Sequence, residues 1–419
     1  MTILEKTIYS WGHCAMNTNK SPLFKNVVTG TLVLFFSVAM TFGQTHFSGF
    51  AGVAGNIGGK ENGSGARFEA DAFFAGQFDL LGRFQLRTEA SVKTSDLLAA
   101  DAFKDVPATF SIDELSLTVR LPSANVSHYL AVFAGEYESI GSDLFLQRQF
   151  GIKPLASKIT ESWLRLNGTT IYPFSGFGGS YVLRFGTPQA LGAYVYVNEK
   201  NDLRHLNFDL RFGGVLPVVT TDISFGFGFP IETKDSAGNE VIVLIRKMEF
   251  HAGITTLIGN ERFASLFLQV GLNKIVLKPD ENEKALKLSD FYFLIEPRFK
   301  ANFMNFHFTL FNLPERIVDD LFFISNNLGC NLGIFAENVY VGMFNLTMGA
   351  HLTVSVKDAT LEKLDSVDIN KDNISFQVAP FAETSLSNGT LMARLTMDFM
   401  QIQELHKTIE FTLGYKVRL

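Results

Sequence analysis

Charged side chains in this sequence recur at every second position between apolar neighbours. Arg87, Glu89 and Lys93 alternate with Leu86, Ala90 and Val92. Glu114 and Arg120 alternate with Leu115, Leu117, Val119 and Leu121, and Asp209 and Arg211 with Phe208, Leu210 and Phe212. A second set, Glu138, Asp143, Arg148, Lys153, Lys158, Glu161 and Arg165, lies in a stretch, 138–177, that shows no such alternation. Fixed charges of both signs facing one another across a confined aqueous space set up a field that acts on polar and charged molecules between them. Other chemistries find less support. Asp368, Asn370 and Asp372 are spaced like the first oxygen ligands of a calcium loop, but position twelve is Ala379, where a bidentate Glu is needed. That stretch is therefore read as a polar loop tip, and no other metal site is expected. His46, His128, His205, His251, His307, His351 and His406 are scattered and form no metal-ligand spacing. GxSxG and Gly-rich phosphate loops are absent. A Ser and a His meeting on neighbouring strands stays open as a route to an esterase-like site, but the expectation is no enzyme and no cofactor.

The charges need elements that hold them on one face. Residues 342–357 show what those elements are. Phe344, Leu346, Met348, Ala350, Leu352, Val354 and Val356 alternate with Asn345, Thr347, Gly349, His351, Thr353, Ser355 and Lys357. A period of two predicts an extended strand with one wet and one apolar face. The run exceeds the roughly 5–6 residues usual in soluble strands and suits the about 9–11 needed to cross a bilayer at a tilt.

Eighteen such segments are predicted: 47–56, 66–77, 82–95, 109–121, 127–137, 178–186, 191–199, 203–215, 219–231, 240–258, 261–278, 289–304, 305–313, 327–337, 339–357, 373–387, 389–403 and 407–418. Links after even-numbered strands are short, such as 78–81, 122–126, 187–190, 216–218 and 259–260. Links after odd-numbered strands are mostly longer and polar, such as 57–65, 96–108, 138–177, 279–288, 314–326 and 358–372. Strands seven and seventeen depart from this, with only 200–202 and 404–406 after them. Turns at one end and loops at the other describe an antiparallel up-and-down sheet whose termini lie on the turn side.

Composition agrees. Of 419 residues, 47% are hydrophobic and 19% charged, with 42 Phe but only 12 Pro, and scarce Pro with abundant aromatics favours strands. The net charge of −6 argues against a nucleic-acid partner. Of the two cysteines, Cys14 falls in a leader and Cys330 in a strand, so no internal disulfide is expected. Residues 1–43 read as an export signal region. Lys20 and Lys25 precede the apolar run Val27–Met40, and Thr41-Phe42-Gly43 offers a cut before Gln44, with Met16 as a candidate true start. The apolar run falls short of the about 20 residues of a spanning helix. Residues 44–419 are expected to form a single domain.

A sheet of this kind in hydrocarbon must close, because an open edge leaves N–H and C=O groups unpaired. The predicted fold is an all-β transmembrane antiparallel barrel of 16–18 strands. The soluble alternative, a β-sandwich or β-helix, has the same alternation but no reason for long strands or for loop parity. The last strand places Ile409, Phe411, Leu413, Tyr415, Val417 and Leu419 on one face, against Glu410, Thr412, Gly414, Lys416 and Arg418. Here the chain resembles the outer-membrane β-barrel porins of diderm bacteria, and its Phe-rich character resembles spirochaetal barrels. The family prefers a terminal Phe where this chain has Leu419.

The resemblance implies an outer-membrane location and passive diffusion of small hydrophilic solutes. It implies that Phe411, Tyr415 and Leu419 form the signal read by the barrel-assembly machinery, with membrane lipid as surroundings and a homotrimer as the assembly to expect. It makes 138–177 a constriction-loop candidate and Arg87, Glu89, Lys93, Glu114, Arg120, Asp209 and Arg211 candidate pore-lining residues. Two other readings remain: a plugged barrel acting through its loops as an adhesin, and a transporter of hydrophobic compounds similar to the fatty-acid channels. Aromatics near strand ends (Phe47, Phe50, Phe291–Phe293, Phe303–Phe308, Phe335, Tyr340 and Phe399) are expected to form girdles at the two interfaces.

Overall fold

Alternation along the chain becomes one continuous ladder. A computed structural model describes residues 45–60, 65–99, 108–138, 144–152, 155–160, 163, 175–200, 203–231, 248–276, 285–314, 318, 321, 323–357, 359, 361 and 373–419. Residues 1–43, expected to act as an export signal, and the calcium-like triad Asp368, Asn370 and Asp372 lie outside them.

Eighteen strands follow in order. They are β1 (Thr45–Gly59), β2 (Ala66–Leu80), β3 (Phe84–Lys93), β4 (Thr109–Pro122), β5 (Val126–Glu136) and β6 (Ser175–Phe185). Next come β7 (Gln189–Lys200), β8 (Leu203–Val215), β9 (Val219–Pro230), β10 (Glu249–Asn260), β11 (Ala264–Val276) and β12 (Phe291–Ala301). The series ends with β13 (Met304–Asn312), β14 (Leu328–Val341), β15 (Phe344–Val356), β16 (Ile374–Leu386), β17 (Gly389–Asp398) and β18 (Glu410–Arg418). Each strand pairs antiparallel with its sequence neighbours, and β1 pairs with both β2 and β18. The sheet is therefore a closed up-and-down barrel of eighteen strands. An even count lets the first and last strands meet antiparallel, as Phe50 opposite Arg418 and Gly58 opposite Glu410 do.

Boundaries differ from the expected ones where side chains or turns compete with the ladder. Expected strand 389–403 stops at Asp398. Its carboxylate accepts hydrogen bonds from the Phe376 and Met400 amides and from Ser375 Oγ, and the chain continues as a 3-10 helix, Phe399–Glu404, and a short helix α2 (Leu405–Thr408). The link after β17 is thus long, and the parity of links is restored there. Expected strand 339–357 begins too early. Gly342 has φ +61, a value an L side chain seldom adopts, and the hairpin turns there, so Val339–Val341 belong to β14 beyond a bulge at Glu337–Asn338. Of expected strand 240–258, residues 240–247 lie outside the described residues.

The two faces are the reverse of a water-soluble protein. Large apolar side chains lie exposed on the outside: Ile57, Leu117, Val132, Phe177, Val195, Leu210, Phe225, Phe299, Leu310, Val354 and Leu413 among them. The buried positions between them face inward and are largely polar, including Glu89, Glu114, Asn207, Asp209, Arg211, Gln269, Glu296, Thr309, Asn331, His351 and Thr412. Phe411 and Leu419 lie exposed, and the Tyr415 hydroxyl donates to the Leu386 carbonyl. Cys330 is half-buried between inward Asn331 and Gly329 neighbours and is a free thiol. The girdle expectation needs correction at Phe50, Tyr292 and Phe335. Phe335 is buried against His307 and Phe381, Tyr292 is buried, and Phe50 lies under Lys416 Nζ at 4.6 Å. Each of these belongs to the inward parity of its strand.

Candidate functional site: the barrel interior

Inward parity places Arg87 and Glu89 on β3 beside Glu114 on β4. Arg87 Nη2 donates to Glu89 Oε1 at 2.8 Å, and Arg87 Nε lies 3.5 Å from Glu114 Oε2. Asp209 on β8 meets His251 on β10 at 2.7 Å, and Arg211 makes a two-pronged bond to Asp222 on β9. These wall charges thus pair with neighbours on the same wall rather than facing one another across open space. Lys93 and Arg120 also sit at inward positions of β3 and β4, toward opposite ends.

The stretch after β5 enters this space. At its base Glu138 takes φ +43, a reversal that costs a non-glycine residue of order 1 kcal/mol or more, and its carboxylate accepts from the Tyr194 hydroxyl at 2.6 Å. Helix α1 (Leu144–Phe150) follows, with Leu144, Phe145 and Leu146 fully buried against the inner wall. Phe145 rests where a Cβ at Gly213 on β8 would stand and under the Arg211 guanidinium, 4.9 Å away. Arg148 Nη2 bonds both oxygens of Glu114 at 2.6 and 2.8 Å, and Arg148 Nη1 lies 3.5 Å from Glu138. Burial opposes the Arg148 charge, but Glu114, Tyr137 and Glu138 outweigh it and raise its pKa above the ordinary value. Burial together with Glu138 pushes the Tyr137 phenol up to about 12, so it stays neutral.

Further on, Ser157 Oγ donates to Glu296 on β12, which also accepts from Arg298 Nε at 2.8 Å and Thr309 Oγ1 at 2.6 Å. Arg298 Nη2 reaches the Ala156 carbonyl at 3.1 Å. Trp163 then packs where a Cβ at Gly414 on β18 would stand, and Lys416 Nζ donates to its carbonyl at 3.2 Å. The chain returns at β6. The anchors fall on β4, β7 and β8, then on β12, then on β18. The described residues of this segment are thus braced against three sectors of the wall. Its apolar residues Phe145, Leu146, Leu155 and Ile159 join wall residues Phe133, Tyr194, Tyr196, Phe267 and Tyr292 in one cluster.

Of the expected loop residues, Glu138 and Arg148 come together with wall residue Glu114, and Lys158 lies in the turn beside Ser157. Asp143, Lys153, Glu161 and Arg165 lie outside the described residues. Glu296 and Arg298 are not among the expected pore-lining residues, yet both fall on the inward parity of the predicted strand 289–304. The link 314–326 carried no sequence signal for entering the interior, yet Phe323 stacks on His351 at 3.8 Å between centroids, its carbonyl accepts from Thr353 Oγ1, and Asn326 Nδ2 donates to Ser355 Oγ. Among the described residues no group of three or more His, Cys, Asp or Glu is placed to hold a metal ion.

Two cavities flank the inserted segment. One of about 480 Å³ opens at the long-link end and is lined by Arg67, Lys357, Asp398, Glu404, Lys407 and Glu410 among others. The second, of about 280 Å³, lies at the short-turn end under α1 and reaches Asp79, Arg83, Arg120, Glu138, Arg148 and Arg184.

No family model matches the chain, and no curated protein matches it. Among solved structures it is similar to OprB of Pseudomonas putida, at 9% identity and TM-score 0.44, over 93% of this chain and 97% of that one. A variant porin of Rh. blastica aligns at 9% identity and TM-score 0.43, over 90% of this chain and 100% of that one.

Proposed function

We propose that this protein is an outer-membrane channel through which small hydrophilic solutes diffuse passively. The observation that carries the reading is the inverted polarity of a closed barrel, apolar outside and polar inside. An exposed apolar surface running round the ring is rare among monomeric soluble proteins and satisfies hydrocarbon, where a closed barrel leaves no unpaired edge. A ring of eighteen strands is wide enough to leave an aqueous path, and the segment 138–177, whose described residues Glu138, Arg148, Ser157 and Trp163 bond or pack against the inner wall, would set its narrowest section. Charges on the loop and wall would then grade solutes by size and charge. Phe411, Tyr415 and Leu419, on the last strand, would serve the assembly machinery.

The test is single-channel recording on the refolded barrel in a planar bilayer. Stepwise openings are expected. A protein that inserts but never conducts would refute the channel. A second reading then takes over, a plugged barrel acting through its loops, which the apolar cluster filling part of the interior favours.

The membrane-facing side has its own expected result. Leu210, in the middle of β8, is 61% exposed. Leu210→Arg should lower unfolding free energy in liposomes by about 2–4 kcal/mol, as for a cation at bilayer mid-depth. An unchanged urea midpoint would place that face in water.

A further inference from the structure

We infer that the cavity at the short-turn end is a binding site for a small anion bearing a carboxylate or a phosphate. This rests on the channel reading for the route by which the anion arrives. Four guanidiniums, Arg83, Arg120, Arg148 and Arg184, line the cavity against two carboxylates, Asp79 and Glu138. Elsewhere on the inner wall the buried arginines are matched: Arg87 with Glu89, Arg211 with Asp222, Arg298 with Glu296 and Arg394 with Glu410. In the cavity Arg148 is matched too, with Glu114 and Glu138. Arg83, Arg120 and Arg184 have no ion pair among the described residues. The larger cavity at the other end balances three cations, Arg67, Lys357 and Lys407, against Asp398, Glu404 and Glu410. Of these two cavities, as lined by described residues, only the one at the short-turn end carries surplus positive charge, in a chain whose net charge is −6.

Two of the surplus arginines, Arg120 and Arg184, rest against aromatic rings. The Arg120 amide donates to the Arg83 carbonyl at 2.7 Å, which sets the two residues side by side. The Arg120 guanidinium lies 5.9 Å from the centre of the Tyr129 ring, and that of Arg184 lies 5.8 Å from the Phe150 ring at the end of α1. Ring faces orient the planar fork without consuming its N–H groups. Ser180, on the same wall as Arg184 and buried, has a hydroxyl with no hydrogen-bond partner. The Arg148 Nε–H is likewise unpartnered. A buried donor left unmade is costly, and an oxyanion in the cavity would satisfy these donors while neutralising the arginines. Planar carboxylate and tetrahedral phosphate both accept from paired guanidinium N–H groups. At about 280 Å³ the space lies just below the range for drug-sized ligands, about 300–1,000 Å³, and suits a small solute.

The test uses the full mature barrel in detergent and in bilayers. Isothermal titration with succinate and, separately, inorganic phosphate should show saturable binding of at least one, and the pair identifies which oxyanion the site prefers. The triple variant Arg83→Gln, Arg120→Gln, Arg184→Gln should lose affinity by about tenfold or more, whereas Arg67→Gln in the other cavity should leave it unchanged. In a salt gradient the reversal potential should indicate anion preference for the natural protein and move toward cation preference in the triple variant. Binding without any conductance would uphold the site and sink the channel. Conductance with no binding of either probe and no shift of reversal potential in the triple variant would overturn the site. Far-UV dichroism and heat-modified mobility check that the triple variant is folded.

Discussion

Replacing residues 141–165 with a short Gly/Ser linker should raise single-channel conductance by about threefold or more, with no loss of the barrel. The deleted stretch holds α1 and the anchors at Ser157 and Trp163, so its removal clears the interior where it is braced at three points. Conductance of a short aqueous pore follows its narrowest cross-section, and an eighteen-stranded ring without a filling segment is wide enough for an open channel. The barrel should survive because its backbone hydrogen bonds run strand to strand and close through β1 and β18, none of them through the deleted segment. The variant exposes Tyr194, Tyr196 and Phe133 to lumen water, which lowers stability without opening the ring. Unchanged conductance would mean that the segment does not set the narrowest section, and the constriction reading would fail.

Glu114→Gln should cost about 3–5 kcal/mol of unfolding free energy, the range for removing one partner of a buried ion pair. Glu114 is fully buried and sits between two guanidiniums. It accepts from Arg148 twice, lies beside Arg87, and accepts from Ser116 Oγ at 2.6 Å. Neutralising it leaves two buried cations with one fewer carboxylate between them. Arg87 keeps Glu89 and Arg148 keeps only the longer contact to Glu138. The loss should therefore concentrate on the docking of α1, and channel current should become noisier before the barrel itself unfolds. Pairing the change with Arg148→Met should recover part of the loss, because the two residues share one interaction. Urea titration in liposomes reads the stability, and a shift below about 1 kcal/mol would mean that Glu114 does not carry the dock.

Most of the barrel could be read from local alternation. A side-chain period of two is a property of neighbouring residues, so eighteen strands and their inner and outer faces emerge without knowledge of any distant contact. The ends were less secure where a single residue redirected the chain. Asp398 withdraws its own segment from the ladder by accepting from Met400 and Phe376, and a strand pattern through residue 403 contains no sign of that. Phe335 and Phe50 sit where strand ends attract interface aromatics, but each falls on the inward parity of its strand, Phe335 in step with Asn331 and Phe50 beneath Lys416.

The interior was legible only as a list of charges. Inward parity marks Arg87, Glu89, Glu114, Asp209 and Arg211 as facing the lumen, but not which partner each one takes. Those partners depend on strand register and on where two loops come to rest. The Arg148 bond to Glu114 spans 34 residues, Ser157 to Glu296 spans 139, and Lys416 to Trp163 spans 253. No short-range pattern encodes such distances. The link 314–326 shows the same limit, since nothing in its composition distinguished a loop outside the barrel from one whose Phe323 stacks on His351 within it. Alternation, a strand count of sixteen to eighteen and the two-faced wall follow from the amino-acid order because backbone geometry imposes them residue by residue, and closure of the ring fixes the number at eighteen. The paired charges, the braced segment and the arginine-lined vestibule exist only once the ring has closed, because closure is what brings strands far apart in sequence around one shared interior.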